Sequence, residues 1–259
     1  MKAATRNNGW VGTASSAFTL VELLVVVAML GLLMLLVFPL VHQAVEAGRS
    51  AACAANLRQI QAAYLMYLAD HDGQTFPYFE DVPEGRLWYW GLEAGWPSSG
   101  EEGERPLDTS RARLAPYYGT ESNVRSCPSL KYGGSHFKQK FEIPSMGYGI
   151  NIRLLANAPG AVRNWRQITR PADLLVWADA AQINTWQPPA SPSRPMLEEW
   201  YYVSAFSPPK FHFRHGGHMN AAFGDGSVRQ LAPGQVDPRC DGRVGFLKAV
   251  DAERWLEPN

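Results

Sequence analysis

The chain has 259 residues, of which 46% are hydrophobic, so it is long enough to bury a core in one large domain or two small ones. Its 24 Lys and Arg residues balance 24 Asp and Glu residues. Because there is no net field to attract an anionic polymer, the composition argues against nucleic acid as a partner. Three cysteines, Cys53, Cys127 and Cys240, are too few for a disulfide-rich scaffold or a paired-cysteine zinc motif.

One segment near the amino terminus is apolar along its whole length. Phe18–Val41 contains 24 residues and a single charge, that of Glu22. About 20 apolar residues in a helix cross the hydrocarbon core of a bilayer, so residues 18–41 are predicted to form a transmembrane helix. Residues 1–17 are polar and carry Lys2 and Arg6 without an acid. This basic flank predicts a cytoplasmic amino terminus and an exported remainder of the chain.

Two simpler roles for this segment compete. A secretory signal has an apolar region of about 7–15 residues, and this one is much longer. A plain membrane anchor accounts for the length but not for Glu22, because a carboxylate inside an apolar span is costly and normally has a function. Since Glu22 is close to the helix end, its side chain could also reach the membrane interface, and this alternative stays open.

The junction SSA/FTLVELLVVVAMLG resembles the cleavage and methylation motif of type IV prepilins and type II secretion pseudopilins. The resemblance implies that prepilin peptidase cuts between Ala17 and Phe18 and that the new Phe18 amine is methylated. Ala17 departs from the glycine that is most common before the cut. In a filament, Glu22 would meet the Phe18 amine of a neighbouring subunit, since opposite charges attract strongly at low dielectric. Pro39 lies where pilins carry a helix-bending proline and should kink or locally melt the helix.

Residues 42–73 are predicted to continue this helix in amphipathic form. Apolar residues recur at spacings of three and four, which places them on one helix face. The helix should end near Asp70–Gly73, because Gly73 is a natural stop and Pro77 follows it. The residues of the apolar face are Cys53, Leu57, Ile60, Tyr64 and Tyr67.

Residues 74–259 are predicted to form a globular head on a small, mainly antiparallel sheet. Trp88–Pro106 has no clean period and is predicted to be a loop-rich insertion. Gln187–Pro209 contains six prolines and is predicted to be a surface excursion that holds no central strand. Asp225-Gly226 between two apolar runs predicts a β-hairpin. The fold class is therefore α+β and pilin-like, with one long N-terminal helix packed on the sheet. The strand candidates are Gly147–Ile152, Leu174–Ala178, Met219–Phe223 and Ser227–Leu231.

Further segments resemble one branch of the prepilin-like proteins, which has a carboxy-terminal His-X9-Asp-Gly signature. His215 and Asp225-Gly226 have this spacing. We expect a structural hydrogen bond of this pair to fix the loop that enters the hairpin, because Asp and Gly have backbone reasons to occupy a turn. A catalytic or metal-binding pair is the alternative. The other similar segments are Cys53–Pro77, Cys127-Pro128, Met146–Asn151 and Arg170–Ala180.

Metal sites are only weakly indicated, and no bound metal or cofactor is predicted. His212, His215 and His218 form an H-x2-H-x2-H series that could bind zinc, but residues three apart in a strand face opposite ways. Asp70–Gly73 resembles a calcium loop but lacks the further oxygen ligands of an EF-hand, so a solvated turn is favoured. No G-x-S-x-G motif is present, so no hydrolase triad is predicted.

Cys53 and Cys127 are candidates for a disulfide in an oxidising periplasm, and two buried free thiols are the alternative. The tryptophans are interpreted as core and loop-packing residues. Their clustering on one exposed face would instead indicate a sugar-binding platform.

Together these patterns predict a structural subunit and not an enzyme. It would be a single-pass inner-membrane protein with a periplasmic head. Prepilin peptidase, other pilin-like subunits and the inner-membrane assembly platform would be its partners in building a type II secretion pseudopilus or type IV pilus-like filament at the cell surface. One alternative is a membrane-tethered module that binds a ligand through its tryptophan-rich loops. The other is an exported metal-dependent enzyme that uses His212, His215 and His218.

Overall fold

The structure, a computed structural model, describes residues 19–98, 100–118, 124 and 126–258. Ala17 and Phe18, the predicted cleavage and methylation site, lie outside the described residues. The chain forms two compact units, Met1–Ala44 and Val45–Asn259. In the described part, helix α1 (Leu20–Asp70) is long and apolar enough to cross a membrane.

In the first unit, the apolar side chains of α1 are exposed. Leu20 is 80% exposed and Leu35 is 74% exposed. Soluble monomers rarely expose apolar surface of this extent, so these side chains need a bilayer or protein neighbours as cover. Pro39 lies inside α1 and the helix continues on both sides of it, so the chain does not melt there.

In the second unit, the rest of α1 is amphipathic and its predicted apolar face is confirmed as buried. Tyr64, for example, lies edge-on to the buried Trp177, with ring centroids 5.8 Å apart. The buried residues of this face include Cys53, Leu57, Ile60, Tyr64 and Tyr67.

Helix α1 ends at Asp70, which confirms the predicted stop. Asp72 takes the left-handed conformation with φ 54°, and the Gly73 amide then donates to the Leu68 carbonyl at 2.6 Å. This six-residue closure satisfies a carbonyl that the end of the helix would otherwise leave unpaired.

Two short helices and fourteen short strands follow in the described residues, and the α+β class is confirmed. The helices are α2 (Ala115–Tyr118) and α3 (Ala249–Leu256). The strands are β1 (Phe79–Val82), β2 (Gly85–Trp88), β3 (Gly91–Ala94), β4 (Phe137–Lys138), β5 (Tyr148–Asn151), β6 (Leu175–Asp179), β7 (Gln182–Asn184), β8 (Met196–Glu198), β9 (Tyr202–Val203), β10 (Phe211–His212), β11 (Met219–Phe223), β12 (Val228–Leu231), β13 (Gln235–Val236) and β14 (Val244–Phe246).

The largest sheet has five strands in the order β12-β11-β6-β5-β9. Three smaller sheets have the orders β1-β2-β3, β4-β8-β7 and β10-β14-β13. Neighbouring strands are antiparallel except for β4 with β8 and β5 with β9. Since β5, β6 and β11 are buried along their whole length, the core extends over both faces of the five-stranded sheet. One buried cluster contains the apolar face of α1, and a second contains Phe211, Phe223 and Leu256.

The four predicted strands are confirmed as β5, β6, β11 and β12, each within one residue of its predicted bounds. The predicted hairpin is also confirmed, because β11 and β12 pair antiparallel across Gly224–Gly226. Gly226 has φ 84°, a conformation that glycine adopts without strain.

Trp88–Pro106 is rich in loops but also contains a strand that was not predicted, and the prediction that Gln187–Pro209 holds no central strand is wrong. The first segment includes the end of β2 and the whole of β3, which form a hairpin. The second contains β8, the buried middle strand of its sheet. All six prolines of Gln187–Pro209 lie before Met196 or after Val203, so they flank the strands and do not interrupt them.

The buried face of α1 gives a direct test of this packing. Ile60 is fully buried and Met66, on the same helix, is 53% exposed. Ile60→Ala should lower the free energy of unfolding of the head by about 2–5 kcal/mol, because it leaves a cavity. Met66→Ala is the matched control and should change it by less than about 0.5 kcal/mol. Denaturant unfolding of the detergent-solubilised chain, followed by tryptophan fluorescence, measures both; equal losses would contradict the assigned helix face.

Candidate functional site

Glu22, the charge in the apolar helix, forms a capping box with Thr19. The Thr19 amide and hydroxyl donate to Glu22 Oε2 at 2.9 and 2.7 Å, and the Glu22 amide donates to Thr19 Oγ1 at 3.2 Å. This reciprocal arrangement satisfies amides at the start of the helix. The signal was present in the sequence as Thr19-Leu20-Val21-Glu22, which matches the T-x-x-E pattern of a capping box, and our sequence reasoning missed it.

In the head, four buried side chains converge on one point: Cys53, Cys127, Asp179 and His215. Cys53 comes from the second half of α1 and Asp179 from the end of β6. Cys127 follows α2 in the chain, and His215 follows β10 in a tight turn whose backbone pairs with His218. Their sulfur, nitrogen and oxygen atoms all lie within 4.8 Å of one another, a spacing that could hold a metal ion.

The atoms of this cluster are in direct contact. Cys53 Sγ donates to Asp179 Oδ1 at 3.1 Å, and Cys127 Sγ lies 3.4 Å from His215 Nε2. The same His215 nitrogen is 3.3 Å from Asp179 Oδ2. No side chain of the four is more than 4% exposed, so these contacts are shielded from water.

Groups around the cluster hold its members in place. The backbone amide of Asn220 donates to Asp179 Oδ2 at 2.8 Å. The Nε atom of the buried Arg214 lies 3.7 Å from Asp179 Oδ1. On its other side, His215 Nδ1 lies 3.5 Å from Glu46 Oε1. Arg214 is itself fixed by hydrogen bonds to two backbone carbonyls, those of Gly147 and Ala180.

The buried environment shifts the pKa values of the cluster strongly. Burial raises the pKa of the Cys53 thiol far above its usual range, whereas the hydrogen bond from Cys53, with Arg214 and His215 nearby, lowers the pKa of Cys127 to about 5. Burial lowers the pKa of His215, but contacts with Asp179 and Cys127 outweigh it and raise this pKa to about 9. In this state the negative charges of the Cys127 thiolate and the Asp179 carboxylate are balanced by the positive charges of His215 and Arg214.

The three histidines of the H-x2-H-x2-H series do not form a site together. His212 pairs with Asp241 at 2.8 Å, His215 joins the cysteine cluster, and His218 is exposed with its Nδ1 3.3 Å from the Gly216 carbonyl. The zinc alternative built on these three residues is therefore wrong, because the strand and the turn point them in different directions.

His215 and Asp225, the predicted signature pair, have separate partners. Asp225 accepts from the Ser227 amide at 2.9 Å within the β11–β12 turn and lies 3.4 Å from an Arg229 nitrogen. His215 precedes β11 and Asp225 follows it, so the strand places them at opposite ends. The expected hydrogen bond that fixes the hairpin is therefore made by Asp225 with Ser227 and not with His215.

Cys53 and Cys127 are free thiols in this structure and both are buried, as in the alternative to a disulfide. The sequence analysis considered the two cysteines as a disulfide pair and His215 as the partner of Asp225, and it did not single out Asp179 or Glu46. A signal was available: the segments that resemble the His-X9-Asp-Gly branch supply all four residues of the cluster. Their convergence depends on tertiary contacts, since Cys53 and Asp179 are 126 positions apart.

Five tryptophans line a second feature of the head, a cleft of about 350 Å³. Trp186 is 58% exposed, and Trp90 stacks on Tyr201 with ring centroids 3.7 Å apart. The interpretation of the tryptophans as packing residues holds for Trp177 and Trp90, which are buried in the core, and for Trp88, which packs against it, whereas Trp186 is exposed. The tryptophans of the cleft are Trp88, Trp90, Trp96, Trp186 and Trp200.

Charged groups lie close to these rings. Lys140 Nζ lies 4.4 Å from the centroid of the Trp200 ring, and Lys138 Nζ donates to Glu198 Oε1 at 2.7 Å. Lys138 also pairs with Glu102, which lines the cleft. Burial raises the pKa of the neighbouring Glu199 to about 7, although Ser145 and Met146 donate to it. The cleft thus combines flat aromatic faces with charged and amide groups, which suits a polar ligand with apolar faces.

No protein family model matches the chain, and neither does any curated protein or solved structure. The resemblance to prepilin-like proteins therefore rests on the motifs of the chain, and the function rests on the geometry of these sites.

The buried ion pair that contacts the lining of the cleft gives a second test. Both side chains of the Lys138–Glu198 pair are 0% exposed. Lys138→Met should lower the free energy of unfolding by about 3–5 kcal/mol, because it leaves Glu198 poorly compensated, and adding Glu198→Gln should recover part of the loss. Arg239→Met, at an exposed pair with Asp237, is the matched control and should cost less than about 1 kcal/mol. Equal losses for the two single variants in denaturant unfolding would rule out a buried pair.

Proposed function

We propose that the chain is a pilin-like structural subunit of a type II secretion pseudopilus or a type IV pilus-like filament. Prepilin peptidase would process it in the inner membrane, with the amino terminus in the cytoplasm and the head in the periplasm. The observation that carries the proposal is the exposed apolar part of α1, which begins at Leu20 within the SSA/FTLVE junction. Lipid would cover these side chains while the chain is in the membrane, and other subunits would cover them in the filament.

Assembly explains features that a plain anchor leaves without a role. An added Cβ at Gly31 would meet nothing within 4 Å in the described structure, so this helix face is open to a close neighbour. Small residues let helix backbones approach in the absence of a hydrophobic driving force between helices. Both bonds from Thr19 end on Glu22 Oε2. Among the described residues this leaves Oε1 for a donor on another subunit, and the methylated Phe18 amine would be that donor.

The capping box makes it possible to separate two roles of Glu22. Glu22→Gln keeps the capping pattern and removes the charge, whereas Thr19→Ala keeps the charge and removes the cap, at about 1 kcal/mol of helix stability. If charge pairing drives assembly, Glu22→Gln and Glu22→Ala should both reduce the amount of chain in sheared filaments at least tenfold, and Thr19→Ala should leave it near the wild-type level. Immunoblots of the filament fraction measure this.

The mass of the mature amino terminus is the control for this series. Every variant should begin at Phe18 and carry one extra methyl group, so that altered assembly cannot be ascribed to failed processing. Filaments with a normal content of Glu22→Gln would contradict the charge-pairing mechanism. A wild-type chain that keeps Met1 would contradict the filament proposal itself.

A second candidate function is a membrane-tethered module that binds a saccharide. The supporting observation is the tryptophan-lined cleft, because sugar rings present apolar C–H faces to aromatic rings and hydroxyls to charged and amide groups. Its rings are already held by one another: Trp88 and Trp90 stack with centroids 4.9 Å apart. A cleft that is pre-organised in this way loses little entropy when it binds a ligand.

Calorimetric titration of the detergent-solubilised chain with a panel of soluble oligosaccharides tests the module. At least one should bind, and Trp200→Ala should weaken that binding at least tenfold. Trp255→Ala is the matched control, since Trp255 packs on Phe223 away from the cleft and should leave the affinity unchanged. A panel that gives no heat with the folded wild-type chain would remove this candidate.

A further inference from the structure

The cluster of Cys53, Cys127, Asp179 and His215 has the composition and the spacing of a metal centre. We propose that the head binds one zinc ion there, through the two thiolates, a carboxylate oxygen of Asp179 and Nε2 of His215. This inference is independent of the filament proposal, because it concerns the head alone.

The distances between the donor atoms support a tetrahedral ion. Zinc bonds of about 2.0–2.3 Å in tetrahedral geometry place neighbouring ligand atoms about 3.3–3.8 Å apart. The contacts in the structure are 3.1 Å for Cys53 Sγ to Asp179 Oδ1, 3.3 Å for Asp179 Oδ2 to His215 Nε2 and 3.4 Å for Cys127 Sγ to His215 Nε2. All four donor atoms lie within 4.8 Å of one another, so the more distant pairs would approach by up to about 1 Å to surround one ion.

The ligand types select the ion. Two sulfurs with one imidazole are donors for zinc and not for calcium or magnesium, which prefer oxygen ligands. Four protein ligands leave no open coordination position, and the site is buried. These two properties are typical of a structural zinc and not of a catalytic one.

The surroundings of the site supply charges of both signs and a backbone hydrogen bond. Two thiolates and one carboxylate with Zn²⁺ carry a net charge of about −1, and the buried guanidinium of Arg214, 3.7 Å from Asp179, balances it. His215 Nδ1, the nitrogen that does not face the cluster, lies 3.5 Å from Glu46 Oε1. A carboxylate in this position orients a histidine ligand and raises its basicity. The backbone amide of Asn220, which donates to Asp179 Oδ2, orients the carboxylate.

The ion would join parts of the head that are distant in the chain. It would tie the second half of α1 to β6, to the segment after α2 and to the turn before β11. Because a site of this kind forms only in the folded chain, the free energy of zinc binding adds to that of folding.

The test uses the full chain, solubilised in detergent with a thiol reductant and titrated with zinc, with metal content measured by mass spectrometry. About one zinc per chain should remain after exhaustive dialysis. Cys53→Ser, Cys127→Ser and His215→Gln should each weaken binding at least tenfold. Cys240→Ser and His218→Gln are the matched controls, because neither side chain is among the four that converge, and they should bind as the wild type does. Glu46→Gln should weaken zinc binding by about 10–100-fold without abolishing it.

Cobalt substitution keeps the test decisive where a ligand variant does not fold. The wild-type chain and Cys240→Ser should both show thiolate-to-cobalt charge transfer and the intense visible bands of a tetrahedral ion. Folded wild-type chain with substoichiometric zinc, or a cobalt spectrum without the thiolate band, overturns the proposal. A disulfide between Cys53 and Cys127 also overturns the proposal, because it removes both sulfur ligands. Mass spectrometry would show it as a native chain two hydrogens lighter than the reduced chain, with the two cysteines in one linked peptide.

Discussion

The apolar stretch of α1 imposes the constraint on which the biology of this chain depends. Its side chains have no cover among the described residues of the chain, and Leu20 and Leu35 are more than 70% exposed. Because exposed apolar surface is unfavourable in water, lipid or neighbouring proteins must cover the side chains that the fold of the chain leaves exposed. A bilayer and a bundle of identical helices both do so, and a subunit that moves from one to the other would use the same surface twice.

The second half of α1 faces the opposite situation, since it is part of the core of the head. Tyr64 packs against Trp177 of the central sheet, and Cys53 reaches the end of the same strand at Asp179. Burying polar groups is costly unless they have partners. In the cluster the partners come from four segments, so the same contacts that satisfy Asp179 and His215 also determine how these segments are arranged.

Polar and aromatic chemistry occupy different parts of the head. The cysteine cluster is closed to solvent, whereas the tryptophan-lined cleft is open and two of its lining residues, Glu102 and Gln182, contact Lys138 and Glu198. A closed site suits a permanent structural ion and an open one suits an exchangeable ligand. The proposed subunit, the proposed zinc and a binding cleft are therefore compatible in one chain.

Local signals in the sequence determine much of this protein. The apolar run, the amphipathic spacing, the stop at Asp70 and the hairpin at Asp225-Gly226 all depend on residues within a few positions of one another, so periodicity and turn chemistry suffice to predict them. The strand β8 was missed because composition averaged over Gln187–Pro209 hid its proline-free stretch.

Only the tertiary structure decided which distant residues meet. The sequence spacing of Cys53, Cys127, Asp179 and His215 does not predict a common site, because these side chains meet only when α1 packs against the sheet. For the same reason the H-x2-H-x2-H series, which is compact in sequence, is divided among three environments in space. Short-range patterns follow from backbone geometry, whereas a buried site depends on contacts that the chain makes only once it is folded.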